Sequence, residues 1–367
     1  MEAMELVRAR VSVPLGEDSY EIQVGIGSLT ELGRILRENP IGHRYFIVTD
    51  DHVKDLLGLD LLQILRSEGL SADLLSFPAG EGSKTMETVV SLARRMVGLG
   101  ADRKAAVIAL GGGVPGDVAA FLASIYMRGI PFIQVPTTLL AQVDSSVGGK
   151  TGVDLPEGKN LLGTFAQPRA VHADVGVLAT LPEREIRNGL AEVVKYGVIR
   201  DPLLFSLLEA RAEEILGLDP ELCVEIVARS CAIKAQVVSE DEKEGGLRRI
   251  LNFGHTIGHA IEAAAGYAIT HGEAVSLGMV AVSRIAVMKG LFPQEGSDRI
   301  RRLLERLRLP VTIGREFEAE RLLGFLRHDK KAQAGKVHFV LPVRIGETLI
   351  TPEVTDAEVV EAIEATR

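Results

Sequence analysis

The chain has 367 residues, of which 46% are hydrophobic and 25% are charged. This composition is typical of a globular protein, and the length exceeds what one ordinary hydrophobic core supports, so we expect two domains. The formal net charge of −9 argues against nucleic acid as a partner. Apolar runs end well short of the roughly 18–20 residues of a membrane span, and residues 1–10 lack the pattern of a signal peptide, so we expect no membrane partner.

The two cysteines, Cys223 and Cys231, lie in one predicted helix. Their spacing corresponds to about 12 Å along the helix axis, which is too far for a disulfide. We therefore expect two reduced thiols and a cytoplasmic protein.

The first half of the chain alternates between predicted strands and helices. A hairpin is predicted over 8–24, and further strands at 45–49, 72–77, 105–110 and 132–135 alternate with helices. This order predicts an α/β domain with a parallel sheet, whose ligands would lie at the carboxyl ends of its strands. From Glu183 onward helices dominate, so we place an α/β domain at 1–181 and a mainly α-helical domain at 182–367.

A glycine-rich turn follows the most apolar predicted strand, with the sequence Gly-Gly-Gly-Val-Pro-Gly-Asp over 111–117. Glycines let the backbone approach a phosphate, and a helix N-terminus offers unpaired N–H groups. The alternative is a tight turn with Asp117 as helix N-cap. Three consecutive glycines and a fourth exceed the needs of a turn, so phosphate contact is favoured.

Two other loops have weaker ligand-binding signals. Asp50 ends a predicted strand, where its carboxylate suits a ribose hydroxyl or a helix N-cap. The Gly80–Lys84 loop joins a strand to a helix and contains a lysine, although Gly-Glu-Gly-Ser is also ordinary turn chemistry. Thr137 and Thr138 follow another strand and suit either a ligand or a helix cap.

The second half contains a possible metal site. His255 and His259 lie four residues apart on one helical face, a spacing that can bind a metal, and His271 starts another predicted helix. Glu192 is a carboxylate on an otherwise apolar helical face, with a surface pair to Lys195 as the alternative. Spacing alone leaves open which histidines are ligands.

Basic residues recur in polar contexts at the ends of predicted elements, against the acidic charge of the whole chain. They suggest recognition of a multiply anionic small molecule, although scattered surface lysines explain any one of them. They are Arg128, Lys150, Lys159, Lys195, Lys234, Arg248, Lys330 and Lys331.

Taken together, these motifs resemble the 3-dehydroquinate synthase family of the shikimate pathway, within the sugar-phosphate cyclases. The resemblance runs from about 78 to 346 in the family's order and spacing, and Pro115 stands where an aliphatic residue is commoner. The motifs are the 111–117 turn, Pro136–Lys150, Lys159-Asn160, Gly189–Lys195, Asn252–His259 and His271–Glu273.

The resemblance implies an N-terminal NAD-binding α/β domain, a helical C-terminal metal-binding domain and an active site between them. It implies Glu192, His255 and His271 as ligands of zinc or cobalt. It implies that His259 faces the substrate and is not a metal ligand. The residues it implies for NAD are Asp50, Gly80, Glu81, Lys84, Gly113, Val114, Pro115, Gly116, Asp117, Thr137, Thr138, Lys150, Lys159, Val177, Leu178, Ala179 and Thr180.

The implied enzyme is a phosphate-eliminating carbon–oxygen lyase of aromatic amino acid biosynthesis. It converts 3-deoxy-D-arabino-heptulosonate 7-phosphate to 3-dehydroquinate by transient oxidation, phosphate elimination, reduction, ring opening and aldol closure. The leaving phosphate or His259 takes the proton. Arg128 matches an arginine donated across a homodimer interface. The matched catalytic residues are Asp144, Lys150, Lys195, Asn252 and His259, and the matched substrate-binding residues are Arg128, Asn160, Lys234, Arg248 and Lys330 or Lys331.

Three alternatives remain open. A related cyclase acting on sedoheptulose 7-phosphate would lack the carboxylate-binding set, which is retained here. A metal-dependent polyol dehydrogenase of related fold would accumulate NADH, whereas a synthase would not. A non-enzymatic binding module leaves the histidines and Glu192 unexplained.

Overall fold

The computed structural model describes residues 6–266, 268–332 and 337–367. The chain divides into two compact units. The first comprises Met1–Leu181 together with Cys223–Ser239, and the second comprises Pro182–Leu222 and Glu240–Arg367. The sequence had placed all of 182–367 in one domain, so the segment 223–239 is assigned differently by the structure.

The first unit is built on a seven-stranded sheet with the order β1-β2-β9-β6-β5-β3-β4. The β1–β2 pair is antiparallel and the other pairs are parallel, as alternating strands and helices predicted. The strands of this unit are β1 (Val7–Val13), β2 (Tyr20–Gly25), β3 (Tyr45–Asp50), β4 (Ala72–Phe77), β5 (Ala106–Gly111), β6 (Phe132–Pro136), β7 (Lys150–Leu155), β8 (Gly158–Phe165) and β9 (Ala170–Asp174).

Helices cover both faces of this sheet. Strand β5 is buried along its whole length because apolar clusters pack on each side of it. The helices are α1 (Leu32–Glu38), α2 (Asp51–Val53) continuing through a π-helical turn (Lys54–Gly58) into α3 (Leu59–Ser67), α4 (Met86–Gly98) and α5 (Gly113–Ile125). Shorter 3-10 turns lie at Gly16–Asp18, Ser28–Glu31, Glu81–Ser83, Tyr126–Arg128 and Val175–Thr180, and a further π-helical turn lies at Ala141–Ser145.

The β7–β8 hairpin forms a separate two-stranded sheet that sequence reasoning did not predict. Its strands contain glycines and charged residues, which weaken the strand signal. The hairpin is nevertheless important for the site, because Lys150, Lys159 and Asn160 all lie on it.

The segment 223–239 packs with the first unit through two specific contacts. Cys231 Sγ donates to the backbone oxygen of Gln142 at 3.2 Å, and Lys234 Nζ contacts Asp144. Both Cys223 and Cys231 are buried thiols. Periodicity cannot reveal such contacts, because the segment is the middle of one continuous helix, Pro220–Glu240.

The second unit is mainly helical, as predicted, with one small antiparallel sheet. Its elements are α6 (Glu183–Ile199), α7 (Pro202–Leu216), the ends of α8 (Pro220–Glu240), a 3-10 turn (Leu247–Asn252), α9 (His255–Ala264), α10 (His271–Met288), α11 (Gln294–Arg306), α12 (Ala319–Ala332), β10 (Phe339–Arg344), β11 (Glu347–Thr351) and α13 (Asp356–Glu364).

Helices α9 and α10 approach each other closely, and glycine makes this possible. A Cβ atom at Gly258 would lie 2.9 Å from the backbone oxygen of Ala274. The N–H of Gly272 donates to Asn188 Oδ1 on α6 at 2.7 Å, which fixes the start of α10. These contacts place the first residues of α9 and α10 beside α6.

None of the helices in the described ranges combines the length and apolar character that a bilayer crossing requires.

Candidate functional site

Three side chains from three helices of the second unit converge. Glu192 lies on α6, His255 is the first residue of α9, and His271 is the first residue of α10. One ligand atom from each lies within 4.8 Å of the others. The Glu192 side chain is fully buried, and a buried carboxylate requires a compensating positive charge.

The spacing of these atoms fits a metal ion. Glu192 Oε1 lies 3.4 Å from His255 Nε2 and 3.4 Å from His271 Nε2. Tetrahedral zinc with ligand bonds of about 2.0–2.1 Å sets neighbouring ligand atoms about 3.3–3.4 Å apart. Two imidazoles and one carboxylate also leave a fourth position for substrate, which is the pattern of a catalytic zinc site.

The two imidazoles differ in protonation. Burial lowers the pKa of His255 to about 3, so this ring is neutral at pH 7 and has a lone pair for a ligand bond. Burial also acts to lower the pKa of His271, but its hydrogen bonds to Glu192 and Glu262 outweigh that effect and raise the pKa to about 9. A divalent ion would displace the proton of His271, because ligands bind deprotonated.

Lys195 completes the charge balance of the cluster. Its Nζ contacts Glu192 Oε2, the oxygen other than the one closest to the two imidazoles. Sequence reasoning offered a surface Glu–Lys pair as the alternative reading, but both side chains are almost completely buried. The pair therefore belongs to the interior of the site.

A second layer of acceptors orients the imidazoles. His255 Nδ1 lies 3.1 Å from the backbone oxygen of Phe253, and His271 Nδ1 lies 3.4 Å from Glu262 Oε2. Such partners fix the tautomer and ring orientation of metal ligands. Sequence reasoning missed Glu262, although it lies seven residues after His255 and therefore on the same face of α9.

His259 lies at the exposed edge of this cluster. Its ring centroid is 5.3 Å from that of His255 and 5.9 Å from that of His271. It also belongs to a second group of possible ligand atoms, with Glu262 and His271.

The glycine-rich turn in the first unit opens α5, as the phosphate-binding hypothesis requires. Gly111 has φ +148°, and a Cβ there would lie 2.6 Å from Pro115, so a side chain is excluded. Helix α5 begins at Gly113 with Gly112 as its N-cap, and the first helical N–H groups are available for an anion. The alternative role of Asp117 as N-cap is wrong, because the helix starts four residues earlier.

Asp117 instead pairs with Lys84. Lys84 Nζ lies 2.6 Å from Asp117 Oδ2 and donates to Asn160 Oδ1 at 2.5 Å. Burial raises the pKa of the Asp117 carboxyl, and the ammonium of Lys84 opposes that rise. Lys84 and Asp117, which were predicted to bind NAD, therefore lie beside Asn160, which was predicted to bind substrate.

The remaining predicted cofactor residues lie in turns of the first unit. Asp50 Oδ1 accepts from Val53 N at 2.8 Å and so caps α2, which leaves its second oxygen for another partner. Thr138 Oγ1 accepts from Ala141 N at 3.1 Å, which is also capping. Gly80 has φ +108°, and Lys159 Nζ lies 3.8 Å from Glu81 Oε1. Thr137 follows β6, and Val177, Leu178, Ala179 and Thr180 form part of a 3-10 helix.

The predicted substrate residues of the first unit include one close pair. Lys234 Nζ lies 2.7 Å from Asp144 Oδ1 and also donates to the Asp144 backbone oxygen at 2.6 Å. Lys150 is exposed at the start of β7. Arg128 is exposed in a turn where both it and Met127 have positive φ, at +73° and +49°.

In the second unit, Arg248 is buried and donates to the backbone oxygen of Glu242. Asn252 Nδ2 donates to Glu244 Oε1 at 3.1 Å, and Glu244 has φ +61°. Sequence reasoning did not identify Glu244. The side chains of Lys330 and Lys331 lie outside the described residues.

Comparison with known proteins defines the class. Residues 74–188 match the family described as 3-dehydroquinate synthase N-terminal, and 189–332 match 3-dehydroquinate synthase C-terminal. A 3-dehydroquinate synthase of Symbiobacterium thermophilum is 50% identical over 356 residues, covering 96% of this chain and 99% of that protein.

Two solved structures share the whole fold. A 2-epi-5-epi-valiolone synthase from Streptomyces hygroscopicus subsp. jinggangensis, with NAD⁺ and Zn²⁺ bound, is 32% identical with a TM-score of 0.87, covering 96% of this chain and 98% of its own. A 2-deoxy-scyllo-inosose synthase, complexed with carbaglucose-6-phosphate, NAD⁺ and Co²⁺, is 29% identical with a TM-score of 0.89, covering 97% of this chain and 100% of its own.

The fold is therefore that of the sugar-phosphate cyclases. Within that class, the chain belongs to the 3-dehydroquinate synthase family.

Proposed function

We propose that this protein is a 3-dehydroquinate synthase that eliminates phosphate from 3-deoxy-D-arabino-heptulosonate 7-phosphate in aromatic amino acid biosynthesis. The observation that carries the proposal is the cluster of Glu192, His255 and His271, with its 3.4 Å spacings, in a chain of this family. The proposed cofactors are NAD and a divalent ion, zinc or cobalt. When bound, NAD⁺ accepts and returns a hydride, and the ion acidifies a substrate hydroxyl.

The second unit supplies the metal ligands and the groups that surround them. Glu192, His255 and His271 would hold the ion, while Lys195 neutralises the second oxygen of Glu192. His259 is exposed beside the two ligand rings, so its imidazole can receive a proton from the substrate. The leaving phosphate is the other candidate for that proton.

The first unit supplies the anion-binding groups. The N-terminus of α5, with Gly113–Asp117, is proposed to hold the NAD pyrophosphate, helped by the Gly80–Lys84 loop. Asp50 suits a ribose hydroxyl, and Thr137, Thr138, Lys150, Lys159 and Val177–Thr180 are the other proposed NAD contacts.

The proposed substrate groups are mainly cationic or amide. Lys234, Arg248 and one of Lys330 and Lys331 suit the carboxylate and phosphate of the substrate, because ionised donors bind such oxygens strongly. Asn160 and Asn252 add amide donors. Asp144, which is already held by Lys234, can accept from a substrate hydroxyl, and the Lys150 ammonium can donate to a substrate oxygen.

A homodimer is also proposed, in which Arg128 reaches the partner's site. Four exposed apolar side chains support an interface near it: Ile125 (42% exposed), Met127 (40%), Leu161 (56%) and Phe165 (51%). The end of α5 and strand β8 are linked here, since Ser124 Oγ lies 2.7 Å from Thr164 Oγ1. Several exposed apolar side chains on two linked elements suit a protein–protein interface. The reduced cysteines suit a cytoplasmic location.

Phosphate release tests the proposal directly. Purified protein is assayed with 3-deoxy-D-arabino-heptulosonate 7-phosphate and, separately, with sedoheptulose 7-phosphate, omitting NAD and metal in turn. We expect release from the first sugar that needs both cofactors, with no NADH accumulating in the steady state. Preference for sedoheptulose 7-phosphate, or accumulation of free NADH, would overturn the assignment.

A further inference from the structure

Asn160 has an unusual backbone conformation. Its φ is +55°, in the left-handed region that residues other than glycine rarely adopt, although asparagine does so more often than most. Val153 pairs with Leu162 and Leu155 pairs with Gly158, so residues 159–161 of β8 lie opposite the single residue Asp154. Such bulges re-aim a side chain and are common beside active sites.

A ring of three hydrogen bonds maintains this conformation. The Asn160 N–H donates to Asp154 Oδ1 at 2.7 Å, and the Asp154 N–H donates to the backbone oxygen of Lys84 at 2.8 Å. Lys84 Nζ then donates to Asn160 Oδ1 at 2.5 Å, which closes the ring. Lys84 is itself buried and also holds Asp117.

The ring determines the chemistry that Asn160 offers. An ammonium group has donors only, so the amide atom that faces Lys84 must be the oxygen. The NH₂ group of Asn160 therefore does not face Lys84, and Asn160 is an exposed residue. In this orientation the side chain can donate to a ligand oxygen.

We propose that Asp154 is a positioning residue, which holds Asn160 as a hydrogen-bond donor to an anionic oxygen of the substrate. The inference deepens the proposed function and rests on it for the identity of the ligand. Asp154 acts by accepting one backbone hydrogen bond, so an uncharged acceptor of the same shape should replace it.

Three variants test the proposal: Asp154→Ala, Asp154→Asn and, as a control, Glu157→Ala at the exposed turn of the same hairpin. We expect Asp154→Ala to raise KM for the sugar phosphate about tenfold, which is the effect of one hydrogen bond. Both kcat and the dissociation constant of NAD should change less than twofold, because Lys84 remains paired with Asp117. Asp154→Asn and Glu157→Ala should stay within about threefold of the wild-type KM.

An unchanged KM in Asp154→Ala overturns the proposal, and so does an Asp154→Asn variant as impaired as Asp154→Ala. Wild-type protein that releases no phosphate overturns the proposed function instead. In that case the crystal structure of Asp154→Ala decides the positioning role. A φ of Asn160 outside the left-handed region in that variant supports the role, and an unchanged φ refutes it.

Discussion

The ammonium of Lys195 contacts one carboxylate oxygen of Glu192 while the two imidazoles lie beside the other oxygen. Lys195 follows Glu192 by three residues on α6, so one turn of helix holds both groups inside the unit. Removing one member of a buried ion pair leaves the other charge uncompensated, and this costs far more than losing a surface pair.

Replacing Lys195 with Met should therefore lower the free energy of unfolding by about 3–5 kcal/mol. Urea denaturation monitored by circular dichroism measures the change. Lys289→Met is the matched control, since the Lys289–Glu358 pair is partly exposed and should contribute about 0–1 kcal/mol. Equal losses in the two variants would contradict the buried-pair argument.

Replacing His271 with Ala should abolish stoichiometric metal binding and phosphate release, because the cluster loses one of three ligands. Metal content is measured by atomic emission after dialysis against zinc or cobalt. His259→Ala is the control: it should lose activity and keep the metal. Full metal content in His271→Ala would refute the ligand assignment.

Glu262→Gln should weaken metal affinity about 10–100-fold, the usual effect of losing an orienting partner of a ligating histidine. Competition with a chromophoric chelator gives the affinity, and the visible spectrum of the cobalt form reports the ligand geometry. Glu361→Gln, at an exposed position of α13, should leave both unchanged. An unaltered affinity in Glu262→Gln would show that Glu262 does not orient His271.

Arg128→Ala should raise KM for the sugar phosphate at least tenfold. It should leave the affinity for NAD unchanged, because the proposed role of Arg128 is in the partner's substrate site. Sedimentation velocity should show a dimer for both the wild type and the variant. Unchanged kinetics, or a monomeric active wild type, would argue against a role across the interface.

Acid should destabilise the first unit through His172. Burial lowers the pKa of this histidine, which is 2% exposed and whose Nε2 lies 2.9 Å from the backbone oxygen of Ser28. The unfolded chain therefore binds a proton below about pH 6.5 that the folded chain does not. Folding stability should fall with decreasing pH from there toward the depressed folded pKa, by at most about 1.4 kcal/mol per pH unit.

His172→Gln should flatten that part of the stability–pH curve, measured by urea denaturation between pH 7 and pH 5. His43→Gln, at an exposed position, should retain the wild-type slope. A wild-type slope in His172→Gln would assign the acid sensitivity to other groups.

Periodicity and turn chemistry predicted the alternating first half and the helical second half, because those signals are local. Helix propensity does not predict the start of α5 at Gly113, since glycines have low helix propensity although they form part of its first turn. The β7–β8 hairpin was missed for the same kind of reason: its glycine and charged residues carry weak strand propensity.

The candidate site was less accessible to local reasoning. Glu192, His255 and His271 come from three different helices, so spacing along the sequence could not decide which histidines are ligands. The ring of Lys84, Asp154 and Asn160 spans 76 residues of sequence and depends on backbone atoms, which have no sequence signature.

The assignment of 223–239 to the first unit has a practical consequence for dissecting the protein. The chain passes from one unit to the other three times, after residues 181, 222 and 239. A polypeptide ending at Leu181 would lack the lysine that holds Asp144 and the helix that contacts Gln142. The first unit can therefore be isolated intact only by grafting the α8 segment onto it, for example through a short glycine-rich linker.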